Sequence, residues 1–364
     1  MRLMISGGGT GGHVYPALTI VEWLTANSHQ LCWVGSVGGM EETLVKRAGL
    51  SFEGIAAAGL RGKNPAAMLG GLWTLSRGFR QARRLIAAFR PDALLVTGGY
   101  VCVPVALAAR LAGVPALIYL PDIEPGLAIK FLAHLADRVA VTAPPAAQHF
   151  RPGQAVVTGY PARRELFEGN RAEARVQLGL TEDAPVVLVL GGSQGARSIN
   201  RALSQGIGTM LQAAQVVHIS GPGDSQWVRE HRAELPAPLQ ARYHVYDYLH
   251  EEMVDALLAA DLAVARAGAS TLGEFPAVGL PAVLVPYPYA GAHQWANARY
   301  MVEAGAAVAV ADADLGTALI PTVMSLLTDG VRRAALGQAA RALARPGAAQ
   351  RIAHELEGLA HDPS

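Results

Sequence analysis

Short apolar runs alternate with longer amphipathic stretches along the whole chain. Leu3-Met4-Ile5 opens it as a strand, and Val14 to Ala26 follows with helical periodicity, Pro16 falling in its first turn. Leu31 to Val34, Ala93 to Val96, Ala116 to Tyr119 and Arg138 to Val141 continue the series of strands. Runs without polar alternation are strands buried on both faces, which places helices between them and makes the sheet parallel. The pattern restarts at Val186 to Leu190 and continues through Val216 to Ile219, Leu262 to Val264 and Ala282 to Val285. The expected fold class is therefore α/β, with two doubly wound domains. We place them at residues 1–160 and 161–345, joined near Thr158 to Arg164 after one strand and before a charged helix. A C-terminal helix in 346–364 is free to pack back on the first domain.

Composition narrows the class. A length of 364 residues suits two domains, and 51% hydrophobic against 16% charged residues excludes a disordered chain. A net charge of +1 argues against a protein that coats nucleic acid, and no nucleic-acid partner is expected. Cys32 and Cys102 lie in apolar runs, which excludes a disulfide scaffold and a four-cysteine zinc site. The uncharged runs 93–109 and 275–298 contain glycines and prolines that break them, and no signal peptide is read at Met1 to Ser6. No spanning helix is expected, which points to the cytoplasm.

Two glycine-rich turns stand where ligands bind in such folds. The first, Ser6 to His13, contains the dinucleotide pattern at Gly7, Gly9 and Gly12. A nicotinamide cofactor also calls for an acidic residue at the end of the second strand, where the chain reads Val34-Gly35-Ser36. The second, Leu190 to Ala196, spells G-x-S-x-G, the elbow of hydrolases. A phosphate held by backbone N–H groups and the Ser193 hydroxyl is the plainer reading, and a tight turn without ligand is the blandest. One turn per domain suggests a cleft that grips a ligand from both sides.

Further residues then fall into one pattern. Gly8 to Pro16, Gly59 to Lys63, Gly98 to Val101, Gly191 to Ala196, Ala269 to Glu274, Gly279 to Ala282 and Gln294 to Ala298 occur in order over nearly the full length. In these motifs the chain resembles the MurG family of peptidoglycan glycosyltransferases. The resemblance implies a GT-B fold of two Rossmann-like domains and an inverting, metal-independent transfer. Its donor is UDP-GlcNAc, and its acceptor is the muramyl 4-hydroxyl of a polyprenyl-diphosphate-linked sugar; no cofactor is implied. A UDP-GlcNAc epimerase, a transferase for another lipid acceptor and a non-catalytic nucleotide-sugar binder are the alternatives.

Transfer needs a base at the acceptor hydroxyl and help for the departing diphosphate. His13, at a helix start, is the candidate base, and Thr10, Gly11 and Gly12 would line the same site. By the resemblance, Ser193 and its turn hold the diphosphate, and Arg163 faces the nucleotide. Ala269, Ser270 and Thr271 open the donor-binding helix, and Glu274 accepts from the ribose hydroxyls. The Leu249 backbone reads uracil, and Gln294 meets the sugar. The family's His-Glu-Gln-Asn is here Tyr119-Leu120-Pro121-Asp122, and its paired glutamines are His293-Gln294. Asp122 and His293 thus stand at positions where the family meets sugars. Asp312-Ala313-Asp314 spells D-x-D but reads as a polar turn and helix cap, so no metal is expected.

Residues 61–90 carry seven basic residues and no acidic one, interleaved with Met68, Leu69, Leu72, Trp73, Leu75 and Phe79. Trp73, Phe79, Arg80, Arg83 and Arg84 would dock an anionic inner-membrane surface from the cytoplasmic side. The same pattern also fits an amphipathic helix with its apolar face in the core.

Overall fold

The computed structural model describes residues 1–57, 65–182, 184–289 and 293–361, apart from the side chains of 65–69 and 72. The chain divides into two compact units, Met1–Ala162 with Gly347–Ser364, and Arg163–Pro346. The C-terminal helix thus belongs to the first.

In the first unit, β1 (Arg2–Gly7), β2 (Gln30–Ser36), β3 (Ser51–Ile55), β4 (Ala93–Gly98), β5 (Ala116–Leu120), β6 (Arg138–Val141) and β7 (Ala155–Val157) form one sheet. Its order is β3-β2-β1-β4-β5-β6-β7. Every neighbouring pair is parallel. The helices that matter here are α1 (Gly11–Ala26), α2 (Met40–Arg47), α3 (Pro65–Phe89) and α4 (Cys102–Leu111). Side chains alternate across the sheet, as the pleat dictates. Leu3 and Ile5 face a core shared with Val14, Ala17 and Ile20 of α1 and Ile352 and Leu356 of the helix Ala348–His361. Met4, Leu94 and Val96 face another core, shared with Ala82 and Ile86 of α3 and Val105 of α4.

The second unit has β8 (Val186–Leu190), β9 (Gln215–Ile219), β10 (Tyr243–Tyr246), β11 (Leu262–Ala265), β12 (Ala282–Leu284) and β13 (Ala307–Ala309). Their order is β10-β9-β8-β11-β12-β13, again all parallel.

Two details differ from the sequence expectation. α1 begins at Gly11, not Val14, so Pro16 lies inside the helix. Its ring nitrogen cannot donate to the Gly12 carbonyl, which is thereby freed from the helical ladder at the turn. β3 and β10, read as neither strand nor helix from the sequence, are edge strands with partial exposure. Each sheet reverses its winding once, between β1 and β4 and between β8 and β11. Ligands of doubly wound sheets bind beyond the carboxyl ends of strands at such reversals. Both glycine-rich turns stand there.

Candidate active site

At the first reversal, the β1–α1 turn is tied to the end of β4. The Gly8 N–H donates to the Gly98 carbonyl at 3.1 Å. Gly98 has φ +121 and Gly99 has φ +97, conformations that side chains disfavour. A Cβ on Gly98 would stand 2.9 Å from both Cδ2 and Nε2 of His13, and one on Gly99 would stand 2.5 Å from the Gly8 carbonyl oxygen. The His13 ring therefore seats on bare backbone. Its Nδ1 lies 3.2 Å from the Gly8 carbonyl oxygen and 3.3 Å from Thr10 Oγ1. A carbonyl only accepts, so Nδ1 carries the proton and Nε2 keeps the lone pair in the neutral ring. Thr10 occupies the N-cap of α1, yet its hydroxyl makes no cap bond and meets the histidine instead. The first N–H groups of α1, at Gly11 and Gly12, have no partner within the helix.

At the second reversal, Gly192 (φ +84) and Gly195 (φ +75) shape the β8 turn, closed by the Gly195 N–H donating to the Gly192 carbonyl at 2.9 Å. A Cβ on Gly195 would strike the Ser220 carbonyl oxygen. Ser193 is half-buried in this turn. After β11, Ala269 to Leu272 form a single 3-10 turn and Glu274 opens a short helix. Glu274 Oε1 lies 3.8 Å from an Arg163 guanidinium nitrogen. Burial pushes the Glu274 carboxyl above its ordinary range, and the Arg163 charge opposes that shift. Gln294 opens the helix His293–Glu303 with its Oε1 accepting from the Tyr287 N–H at 2.9 Å, which leaves the amide NH₂ to donate elsewhere.

Residues 3–141 match the glycosyltransferase family 28 N-terminal domain, and residues 186–352 match the C-terminal domain of the same family. The UDP-N-acetylglucosamine--N-acetylmuramyl-(pentapeptide) pyrophosphoryl-undecaprenol N-acetylglucosamine transferase of Roseiflexus sp. (strain RS-1) is 45% identical, over 99% of this chain and 95% of that protein. The chain belongs to glycosyltransferase family 28. The transferase of the same description from Desulforudis audaxviator is 41% identical over 99% of both chains. The crystal structure of Acinetobacter baumannii MurG superposes with a TM-score of 0.77 at 27% identity, covering 98% of this chain and 99% of that one. The fold is GT-B, two Rossmann-like domains. A UDP-GlcNAc 2-epimerase from Neisseria meningitidis, at 12% identity and a TM-score of 0.72 over 98% of this chain and all of that one, shares the fold alone.

Within this family 28 chain, the side chains of several expected positions are buried. Thr271 is buried, and its hydroxyl donates to the Gly268 carbonyl at 2.7 Å, so its side chain shapes the turn after β11. Ala269 and Leu249 are buried as well, which leaves their backbone as the part able to meet a ligand. Ser270 and His293 are half-buried. Tyr119 and Leu120, two of the departures from the family pattern, lie in the core. Tyr119 Oη bonds Thr142 Oγ1 at 2.8 Å, and burial drives its phenol well above the ordinary range. Only Asp122, half-buried past the end of β5, stands at the ligand-binding edge of the sheet.

Two supporting residues escaped the sequence reading. Arg266, at the end of β11, donates to Asp312 at 2.6 Å and to Ser198 Oγ at 2.7 Å and lies 5.2 Å over the Tyr287 ring. It packs on the ring of Tyr287, whose N–H Gln294 holds, and it engages the first carboxylate of the D-x-D sequence. A lone arginine ending an apolar run was the visible signal. Asn297, fully buried, donates to the Ala267 carbonyl at 3.0 Å and pins the turn after β11 from behind. Among the described residues no group of three or more His, Cys, Asp or Glu is placed to hold a metal.

On α3, Trp73 is 65% exposed and Arg80, Arg83 and Arg84 face solvent. Phe79 does not join them. It is half-buried against the core with Ala82 and Ile86, because the apolar stripe of an amphipathic helix is drawn to its own sheet. Arg61 and Lys63 lie outside the described residues. Among the described residues no helix is long and apolar enough to cross a membrane.

Proposed function

We propose that this chain transfers N-acetylglucosamine from UDP-GlcNAc to the muramyl 4-hydroxyl of undecaprenyl-diphosphate-linked N-acetylmuramyl-pentapeptide, forming lipid II. The observation that carries this reading is the His13 ring, tied through Nδ1 at a sheet reversal and left with a basic Nε2, in a chain 45% identical to a named transferase. In a single displacement the acceptor oxygen attacks C1 of the sugar as Nε2 takes its proton. The C1–O bond breaks with inversion, and UDP departs with the electron pair. The N–H groups of the Gly191–Ala196 turn, Ser193 and Arg163 face the growing diphosphate charge. Glu274 accepts from the ribose diol, and Gln294 donates its amide to the sugar.

Purified protein given labelled UDP-GlcNAc and a lipid I analogue should form the disaccharide lipid. Conversion to UDP-ManNAc without acceptor would replace this reading with an epimerase.

The Glu274 assignment predicts a pH dependence. A diol donates to an ionised carboxylate, so UDP affinity should fall on acidification at a pH above the ordinary carboxylate range. Arg163→Ala should move that fall higher still, because the opposing charge is gone. Calorimetric titration of UDP between about pH 4 and 8 reads both effects. A flat profile would remove Glu274 from the ribose.

We also place the chain on the cytoplasmic face of the membrane, docked through Trp73, Arg80, Arg83 and Arg84 on α3. Each cation near an anionic surface contributes about 1 kcal/mol. Replacing the three arginines by glutamate should therefore weaken co-sedimentation with phosphatidylglycerol vesicles by at least about 100-fold, and salt should weaken the parent protein too. Undiminished sedimentation of the triple variant would rule out this face.

A further inference from the structure

We propose that Glu41 is a positioning residue for transfer, a buried carboxylate that holds the peptide to which His13 is tied. The inference rests on His13 acting as the base. Glu41 sits in the first turn of α2, yet its carboxylate accepts from backbone N–H groups outside that helix. It is 0% exposed. One carboxylate oxygen accepts from the Ser36 N–H at 2.8 Å, at the end of β2, and the other from the Gly9 N–H at 3.2 Å. No cation among the described residues pairs with it. Burying an unpaired carboxylate costs several kcal/mol unless donors compensate it, so the placement calls for a reason beyond packing.

The reason lies in one peptide unit. The Gly9 N–H that Glu41 holds and the Gly8 carbonyl that accepts from His13 Nδ1 are the two ends of the same peptide group. In a trans peptide these ends point in opposite directions. Carboxylate, peptide and imidazole therefore form one hydrogen-bonded chain running from Glu41 to His13. Polarisation along such a chain strengthens each bond. A negative charge at one end makes the Gly8 oxygen a better acceptor and favours the imidazolium formed when Nε2 takes the acceptor proton. The local glycines keep the space open. A Cβ on Gly8 would collide with the carboxylate, one on Gly39 would stand 2.5 Å from Oε1, and one on Gly35 would stand 2.9 Å from Cγ.

The other ionisable groups around the turn are placed to do less. On α2, Glu42 is half-buried and engaged by Lys46 and the Gly38 N–H, and Arg47 is exposed near the far end of the helix. Cys102, opening α4, directs its thiol at the Ser6 and Gly98 carbonyls and is pushed up to about 11 by burial, so it stays neutral. Tyr15 on α1 and Tyr100 before α4 are exposed, and Asp122 follows β5. β4 carries no ionisable residue, and Arg2 lies at the opposite end of β1. The C-terminal helix meets the far half of α1, where His354 packs on Trp23.

Glu41→Gln keeps the shape but sets an amide NH₂ against a backbone N–H and removes the charge. The expected result is a fall in kcat of about 10- to 100-fold with little change in KM for UDP-GlcNAc. The acid limb of the pH–rate profile should move down by about half a unit, as the imidazolium loses its distant counter-charge. Glu41→Asp, which keeps the charge, should leave the limb in place. The carbon-13 signal of the His13 ring, assigned by its loss in His13→Gln, should show the same downward shift without any turnover. Gly8→Ala, which displaces the carboxylate while leaving Glu41 intact, should shift that titration in the same direction and serves if Glu41→Gln does not fold. An unmoved His13 titration in a variant that melts cooperatively overturns the inference, whatever His13→Ala does. A moved titration with full transfer by His13→Ala upholds the coupling and overturns the base assignment instead.

Discussion

His13→Ala is expected to lower kcat by about 10²- to 10⁴-fold while leaving UDP affinity within about twofold. The acceptor hydroxyl is a poor nucleophile while it keeps its proton, and Nε2 of His13 is the lone pair at the β1–β4 reversal able to remove it. The ring contributes little to packing. It is half-buried and rests on Gly98 and the Gly8–Thr10 backbone, so its loss should not unfold the unit. The groups proposed to hold the nucleotide, Arg163, Ser193 and Glu274, all belong to the other unit and are untouched. His13→Asn sharpens the test, because an amide can still donate to the Gly8 carbonyl yet cannot act as a base at neutral pH. Both variants should fail alike in single-turnover assays with saturating donor. Retention of more than about a tenth of wild-type kcat by either would shift the base assignment to another group.

The glycine-rich turns at the two sheet reversals are legible in the sequence because positive φ calls for glycine there. Gly98 and Gly99 stand at φ values that favour glycine, and Gly192 and Gly195 do the same in the second unit. Inner strands are readable because both their faces are buried, as Leu94, Leu95 and Val96 illustrate. β3 and β10 are not, since an edge strand such as Ser51–Ile55 exposes three of its five residues and loses its apolar run. The start of α1 was misjudged for a related reason. Gly11 and Gly12 are poor helix formers, and the tertiary bonds of the turn override that preference. Glu41 is not legible in the sequence, because the carboxylate that such a turn calls for belongs at the end of β2. It arrives five residues later and reaches back to the Ser36 N–H. Tyr119 and Leu120 looked like changes at a sugar site and prove to be core substitutions, a distinction that burial makes and sequence order does not.

Acidification should destabilise the second unit through one residue, His218. Its ring is fully buried on β9 between Asn200 and Tyr243. The Asn200 amide NH₂ donates to the Ser220 carbonyl at 2.8 Å and to Asp224 at 2.9 Å, so its Oδ1, 3.0 Å from His218 Nε2, must accept. Nε2 therefore carries the proton, and the Tyr243 hydroxyl donates to Nδ1 at 2.8 Å. A second proton, on Nδ1, would force the Tyr243 hydroxyl to turn from donor to acceptor and would bury a charge. Burial, only partly opposed by Asp224, lowers His218 from 6.5 to about 3. The unfolded chain thus binds a proton that the folded one refuses. Stability is full above about pH 6.5 and is lost as pH falls towards 3, by about 1.4 kcal/mol per unit and on the order of 5 kcal/mol in total. The loss reaches the glycine-rich turn after β8, because Asn200 anchors the Ser220 carbonyl against which Gly195 packs. Urea unfolding of the second unit, followed at several pH values, should show this slope in the parent protein. It should be flatter by about one proton in His218→Gln. His218→Leu strands Asn200 Oδ1 and the Tyr243 hydroxyl, and should cost about 2–4 kcal/mol at every pH. Parallel pH profiles for the parent and His218→Gln would mean that the acid sensitivity arises from the carboxylates instead.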